Sequence, residues 1–435
     1  MSAATAPHPG TRRLLLGAGA GALASAVALP TRGIAAPGAP RTLPPVSLAE
    51  RTGSIFLPAP RRLVAPPRVQ RVQLPQVEQA NAIWGATGRD PRGQLWFGVS
   101  VASARGSAHL LNYAPRTGSW RVAGSVTGEL ARLGLLRPGE SQVKIHSRIV
   151  TGEDGWIYFT SSDEDGERED GSALPRWGGH LWRTRADDPH WEHLAAVPEA
   201  LIAAGAAGPF IDALGYWGHV LYRFDTRRGT LTRVAVGSVG GHASRNFLST
   251  PAGHAFVPRV WRAPDGRLQA ALVEFDAQLR ELAATPLTHY LGGERPETSH
   301  GITALATLPD GRIAFTTSLG QLYLITPAPN APASVQALGW FHPDGEAYAS
   351  GLFAYGGGNL LAGVCRRRGA GFDWVVYELL TRSALALPLD TTSARGVLLY
   401  GSQTRDDEGA CYLAGWASEG QGTQRPLLLR VLPDA

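Results

Sequence analysis

The sequence predicts an all-β fold, a seven-bladed β-propeller, and three observations carry that expectation. Fifty-three Gly and 32 Pro among 435 residues are too many for long helices and suit short strands joined by turns. A unit of four short strands recurs at a spacing of roughly 40 to 50 residues, the period of propeller blades. One turn is also copied from unit to unit, in Pro91-Arg-Gly93-Gln-Leu-Trp-Phe97, Asp154-Gly155-Trp-Ile-Tyr-Phe159, Ala252-Gly253-His-Ala-Phe256 and Asp310-Gly311-Arg-Ile-Ala-Phe315. In each, a Gly makes a tight turn and β-forming residues enter the next strand.

Taken in order, residues 1–36 read as an export signal of the twin-arginine kind. Arg12-Arg13 precede an apolar, Gly/Ala-rich stretch to Leu29, and small-residue cleavage patterns such as Ala26-Val27-Ala28 follow. The mature protein is therefore expected outside the cytoplasm, periplasmic or extracellular. Residues 37–75 are a Pro/Arg-rich linker, from which 69–74 or 54–57 is expected to lend a strand that closes the ring. Residues 76–435 form the propeller, with units beginning near Asn81, Ser141, Leu201, Gly241, Ser299, Gly345 and Gly396. The last unit has three clear strands of its own, at 397–403, 410–417 and 427–431, and so needs a fourth from elsewhere.

Composition narrows the function classes. The chain is 44% hydrophobic and 18% charged, which is globular, and its net charge of +5 comes from scattered Arg. With no basic run interleaved with aromatics, nucleic acid is not an expected partner. No segment after the signal is long and apolar enough to span a bilayer, and a monomer is expected. Cys365 and Cys411 allow a disulfide or two buried free thiols, and no Cys/His cluster has zinc-finger or haem-attachment spacing.

The repeat turns into a site through its register. In a blade the first strand lines the channel, and its start emerges on the same face as the end of strand two and the start of strand three. Ten residues before Asp154, Ala252 and Asp310 stand Lys144, His242 and His300, while Ala82, Ala347 and Leu398 fill that position in the first, sixth and seventh units. Lys144 is the only lysine among 41 Lys+Arg, a titratable point charge where the chain otherwise writes guanidinium. His146 follows on the same strand side, with Ser244 equivalent in the fourth unit and Arg245 after it. Tyr348, Tyr400 and Gln403 begin the inner strands of the last two units.

Three readings of this set stay open. His242 and His300 with spare polar groups suit a divalent metal ion. Lys144 and Arg245 suit a carboxylate, with a His or Tyr removing the proton α to it. A wet, polar channel without chemistry accounts for the same residues. His109, His180 and His219 open strand three in consecutive units, a regularity that fits blade-to-blade hydrogen bonding, although His180 would share a face with His146. The insertion Asp163-Glu-Asp-Gly-Glu-Arg-Glu-Asp-Gly171 is expected to project over that face as a solvated lid, its spacing matching no calcium loop. Trp84, Trp177 and Trp217 at strand ends could stack on sugars, whereas Trp156 and Trp182 are expected to pack between blades.

Lys144-Ile-His146, the Gly turn with Tyr158-Phe159, and Gly178-Gly-His180 resemble a stretch of the propeller polysaccharide lyases of the ulvan lyase type, and more distantly the oligogalacturonate lyases. The resemblance covers mainly one blade and the architecture. It implies that a metal or basic residue neutralises a uronate carboxylate while a His/Tyr/Arg set performs β-elimination. It places His146 and His180 in the catalytic group, with Tyr222 and Arg245 as candidates for the tyrosine and arginine. The expectation is thus an exported lyase of an acidic polysaccharide, with Lys144 and Arg245 on the carboxylate and His146 as base. Trp177, Trp217, Tyr222 and Tyr348 would contact substrate, and His242 with His300 would bind a metal or shape the site. A non-catalytic propeller binding a glycan or protein partner is the alternative. A quinone- or metal-dependent oxidoreductase is suggested by the export signal alone, without the recurrent tryptophan motifs of quinone propellers.

Overall fold

In a computed structural model, each turn glycine foreseen in the sequence lies in the left-handed region, with φ of 79° at Gly93, 75° at Gly155, 90° at Gly253 and 87° at Gly311. A side chain there would be strained, which is why the turn is written with Gly each time. The carboxylate before several of these turns clamps them. Asp90 Oδ1 accepts from the backbone N–H of Arg92 and Gln94, and Asp154 and Asp310 accept likewise from Trp156 and Arg312. The structure describes residues 65–103, 105–217, 219–292, 300–329, 331–367, 371–391, 395–400, 404–419 and 422–433. The export signal, the 54–57 strand candidate and Gln403 lie outside them.

These turns join seven antiparallel sheets, the blades of a β-propeller. Blade 3 shows the plain form, with strands Leu201–Ala207, Phe210–Gly215, Val220–Asp225 and Thr230–Ala235 paired in sequence order. Blades 5 and 6 repeat it from Ile302–Thr307 and Tyr348–Tyr355. In the seventh sheet, Arg395–Tyr400, Cys411–Glu419 and Thr423–Leu432 are joined by Arg68–Arg71, with Val69 opposite Val431. The N-terminal strand is thus shorter than the expected 69–74, although the Val72 N–H still donates to the Leu428 carbonyl at 2.9 Å.

The inner strands of blades 2 and 4 are interrupted. In blade 2, Lys144 bridges Ser162, and the chain rejoins the sheet only at Val150–Thr151. Between these points, side chains stitch the blade to its neighbour: His146 Nδ1 lies 3.0 Å from the Ile202 carbonyl and Arg148 Nη2 3.2 Å from that of Ala204. The inner strand of blade 4 pairs within its blade only at Leu248–Ser249, and Asn246 Nδ2 reaches the Ile302 carbonyl at 3.1 Å. A polar inner edge is therefore structural as well as available for chemistry.

Apolar packing runs between blades. Trp96, Phe97, Phe159, Trp182 and Trp191 are buried in one cluster spanning blades 1 and 2, and Trp156 belongs to the cluster shared with Ile211 of blade 3. Each fully buried aromatic of this kind stabilises by about 1.5–3 kcal/mol. Trp156 and Trp182 pack as the sequence implied. Cys365 and Cys411 are buried free thiols, and burial pushes the Cys411 thiol up to about 12, so neither is a ready nucleophile. Among the described residues no helix is long and apolar enough to cross a membrane.

Candidate functional site

Inner-strand residues of blades 2, 4, 5, 6 and 7 meet at one mouth of the channel. With Nδ1–H of His146 donating to the Ile202 carbonyl, its Nε2 carries the lone pair, and Arg245 Nη1 stands 3.4 Å from it. Burial, then the charges of Arg245 and Lys144, hold the His146 pKa well below 6.5, so the ring is neutral at pH 7. The indole of Trp84 lies parallel to this ring with centroids 6.4 Å apart, and Tyr400 is 5.0 Å from Trp84. The Arg245 guanidinium sits 4.3 Å over Tyr400, completing a loop of four side chains. The ring of Tyr216 in blade 3 is tilted against that of His146, with centroids 6.4 Å apart.

His300 and Tyr348 continue the mouth. Tyr348 Oη is 3.2 Å from His300 Nδ1, and the His300 carbonyl accepts from the Arg245 N–H at 2.9 Å. The ring of His300 is exposed, yet the crowding around it lowers its pKa, and the charges of Arg245 and Arg366 act in the same direction. Arg366 is the cross-strand partner of Tyr348. Both guanidinium groups are half-buried, and neither has a carboxylate partner among the described residues. A partly desolvated cation without a counter-charge favours an anionic ligand.

The acidic insertion does lie over this face. Glu164 Oε2 is 2.5 Å from Lys144 Nζ, and the same ammonium is 5.2 Å over Trp84. Burial, then the neighbouring Glu164 charge, pushes the Glu167 carboxyl up to about 8, with a hydrogen bond from Trp217 pulling the other way. Blade 4 comes close to the far end of the insertion: a Cβ on Gly240 would lie 2.1 Å from the Asp170 carbonyl oxygen.

Other expected site residues stand apart. His180 is buried, with Nε2 3.2 Å from Glu140 and Nδ1 2.9 Å from His193 Nε2. Burial raises the Glu140 pKa, but hydrogen bonds from His180 and Arg137 more than offset it, leaving about 2. His180 thus makes a fixed polar network on the blade 1–2 linker, and its described contacts do not include His146 or Arg245. His109 and His219 do not repeat that network; both ring nitrogens of the buried His219 lack a hydrogen-bond partner among the described residues. His242 is fully buried, its ring 4.9 Å from that of His219 and its Nε2 3.2 Å from Tyr290 Oη. Its described ring contacts are with His219 and Tyr290 and do not include His300. Among the described residues no group of three or more His, Cys, Asp or Glu side chains could hold a metal ion. Trp177 lies between Arg137 and Arg176, at 4.9 and 4.6 Å, and Trp217 packs on Tyr216 at 4.2 Å.

Tyr222 is 1% exposed, with Oη 3.3 Å from Glu199 Oε1 inside blade 3. Burial raises the Glu199 pKa from 4.5 to about 7, despite hydrogen bonds from Tyr222 and Val220. The folded state therefore holds a proton there that the unfolded chain releases above pH 4.5, and stability falls as pH rises through 7. Glu199→Gln is expected to flatten this dependence and to stabilise the protein at pH 8 by about 1–3 kcal/mol. Urea denaturation of both proteins at pH 5 and pH 8 measures it. An unchanged pH slope would show that Glu199 is not the group responsible.

Arg366, Tyr216 and Glu164 were not singled out in the sequence as site residues. Arg366 and Tyr216 end or follow second strands, Leu360–Arg366 and Phe210–Gly215, and the rule that such ends share the mouth face locates both.

No protein-family model matches the chain, and no curated protein matches it. Solved structures of similar fold include an ulvan lyase from a new family of polysaccharide lyases, 12% identical, covering 85% of this chain and 95% of that one, with a TM-score of 0.49. A protein of unknown function from Dyadobacter fermentans is 13% identical, covering 84% and 99%, with a TM-score of 0.47. The β-propeller domain of Cps50 (Swd1) from Myceliophteria thermophila is 12% identical, covering 83% and 99%, with a TM-score of 0.46. The chain is a seven-bladed β-propeller by its own sheet topology.

Proposed function

We propose that this is an exported propeller that binds an acidic, uronate-containing glycan at the mouth and cleaves it by β-elimination. One observation carries the reading: the Arg245 guanidinium faces a neutral imidazole and a phenol and has no carboxylate of its own among the described residues. Placed on a uronate carboxylate, Arg245 would withdraw charge and make the C5 proton more acidic. His146 Nε2 would take that proton, the C4–O bond would break as the C4–C5 double bond forms, and a phenol would protonate the leaving oxygen. Tyr348 and Tyr400 are both kept protonated by burial and suit that last role. Lys144 adds a second positive charge to the carboxylate site, and Trp217 a surface for a sugar ring. Each step of this reading is carried by side chains: Arg245, His146 and a phenol.

Incubation with a panel of uronate polysaccharides, read at the ultraviolet absorbance of the unsaturated product, tests the activity. No product from any of them, together with retained binding, would leave a non-catalytic glycan-binding propeller. That second reading is favoured by the low exposure of His146, 7%. Arg366→Ala is expected to weaken binding of an oligouronate about tenfold, equal to 1.4 kcal/mol, by removing one of the two uncompensated guanidinium groups. Titration calorimetry at fixed salt measures this, and unchanged affinity would remove Arg366 from the site.

A further inference from the structure

Six of the nine residues in the 163–171 insertion are carboxylates, an odd covering for a mouth whose other charges are Lys144, Arg245 and Arg366. The loop does not need Glu164 to hold its shape. Asp163 ties its base to Ser141 and to the Asp165 and Trp177 backbone, Arg176 N–H donates to the Asp165 carbonyl, and Arg168 N–H to that of Ala173. Glu164 is left to do one thing, which is to occupy the ammonium of Lys144 at 2.5 Å. The two side chains are 28% and 21% exposed, so solvent reaches the pair. Such pairs contribute at most about 1 kcal/mol, little enough for a multiply charged ligand to displace.

We propose that the insertion is a self-inhibiting strap: Glu164 holds on Lys144 the place of a ligand carboxylate, and an acidic ligand binds by displacing it. The identity of the ligand rests on the acidic-glycan reading, whereas the closed contact does not. Displacement would also free the face on which Trp217 meets Glu167, so strap opening and ligand seating are one event.

Because Lys144 is the only lysine, acylation by an amine-reactive ester followed by peptide mapping reports on this one side chain. In the full chain, Lys144 is expected to react up to about fivefold faster in Glu164→Gln than in wild type, from loss of an ion pair of this strength. Gly240→Ala keeps every charge but drives a methyl group into the Asp170 carbonyl, and it too should raise the rate. Equal rates in all three proteins overturn the strap. Oligogalacturonate is then titrated as protectant, and half-protection is expected at about fivefold lower concentration in Glu164→Gln than in wild type, the converse of the same competition. Equal protection in the two proteins overturns the inhibitory role. Faster labelling of the variants without protection in either supports the closed contact and overturns the acidic-glycan reading with its displacement step.

Discussion

Arg245→Ala is expected to lower kcat/KM on a uronate polysaccharide by about 10² to 10³-fold, the usual result of removing one preorganised donor from developing negative charge. The loss should fall mainly on kcat, because the carboxylate gains negative charge as the C5 proton leaves and Arg245 acts most strongly then. Arg245→Lys should recover only part of the activity. An ammonium restores charge but not the planar fork that spans Tyr400 and His146 Nε2. Initial rates of unsaturated-product formation decide the matter. A tenfold or smaller loss confined to KM would show that Arg245 binds substrate without assisting the chemistry.

His146→Asn is expected to reduce kcat by about 10² to 10⁴-fold, the range for loss of a general base, while oligouronate affinity stays within a few-fold of wild type. Asn is the informative substitution because Asn246, and not Ser244 as counting from the turn implied, makes the corresponding reach to the next blade, donating to the Ile302 carbonyl. The stitch to Ile202 should therefore survive the change. The wild-type pH profile supplies an independent check. A base must be neutral to act, and the His146 pKa is held well below 6.5, so kcat/KM should show no acidic limb centred at the ordinary imidazole value. An acidic limb centred near 6.5 would show that an ordinary imidazole, and not this buried one, is the group that titrates.

The propeller was legible because its turns demand Gly at a fixed place in each blade, and the same turns gave the strand order. Much of the mouth was legible by the same route: Lys144, His146, Arg245, His300 and Tyr348 all meet there. His242 shows where the arithmetic fails. Counting back from a turn is valid only while the hydrogen-bonded ladder fixes side-chain parity. Lys144 still bridges Ser162, so its position is kept, but the inner strand of blade 4 joins its sheet only at Leu248, and the chain before it, outside the ladder, turns His242 onto His219 and Tyr290. Tyr222 fails for another reason, since it lies within a regular strand opposite Ala213 and is packed inside the blade. Arg366 escaped because it sits at the end of a second strand, where the sequence carries no contrast among neighbouring arginines.

The pairing of Arg68–Arg71 with Thr423–Leu432 has a consequence for the order of assembly on the ribosome. Six sheets draw all their strands from consecutive stretches of chain and can form one after another as they emerge. The seventh joins residues more than three hundred positions apart, so its N-terminal strand must wait unpaired until Thr423–Leu432 has been synthesised. Until then an extended segment and a raw sheet edge are both open to wrong partners, including those of a second nascent chain. Completion of the seventh sheet is therefore the last step in assembling the ring.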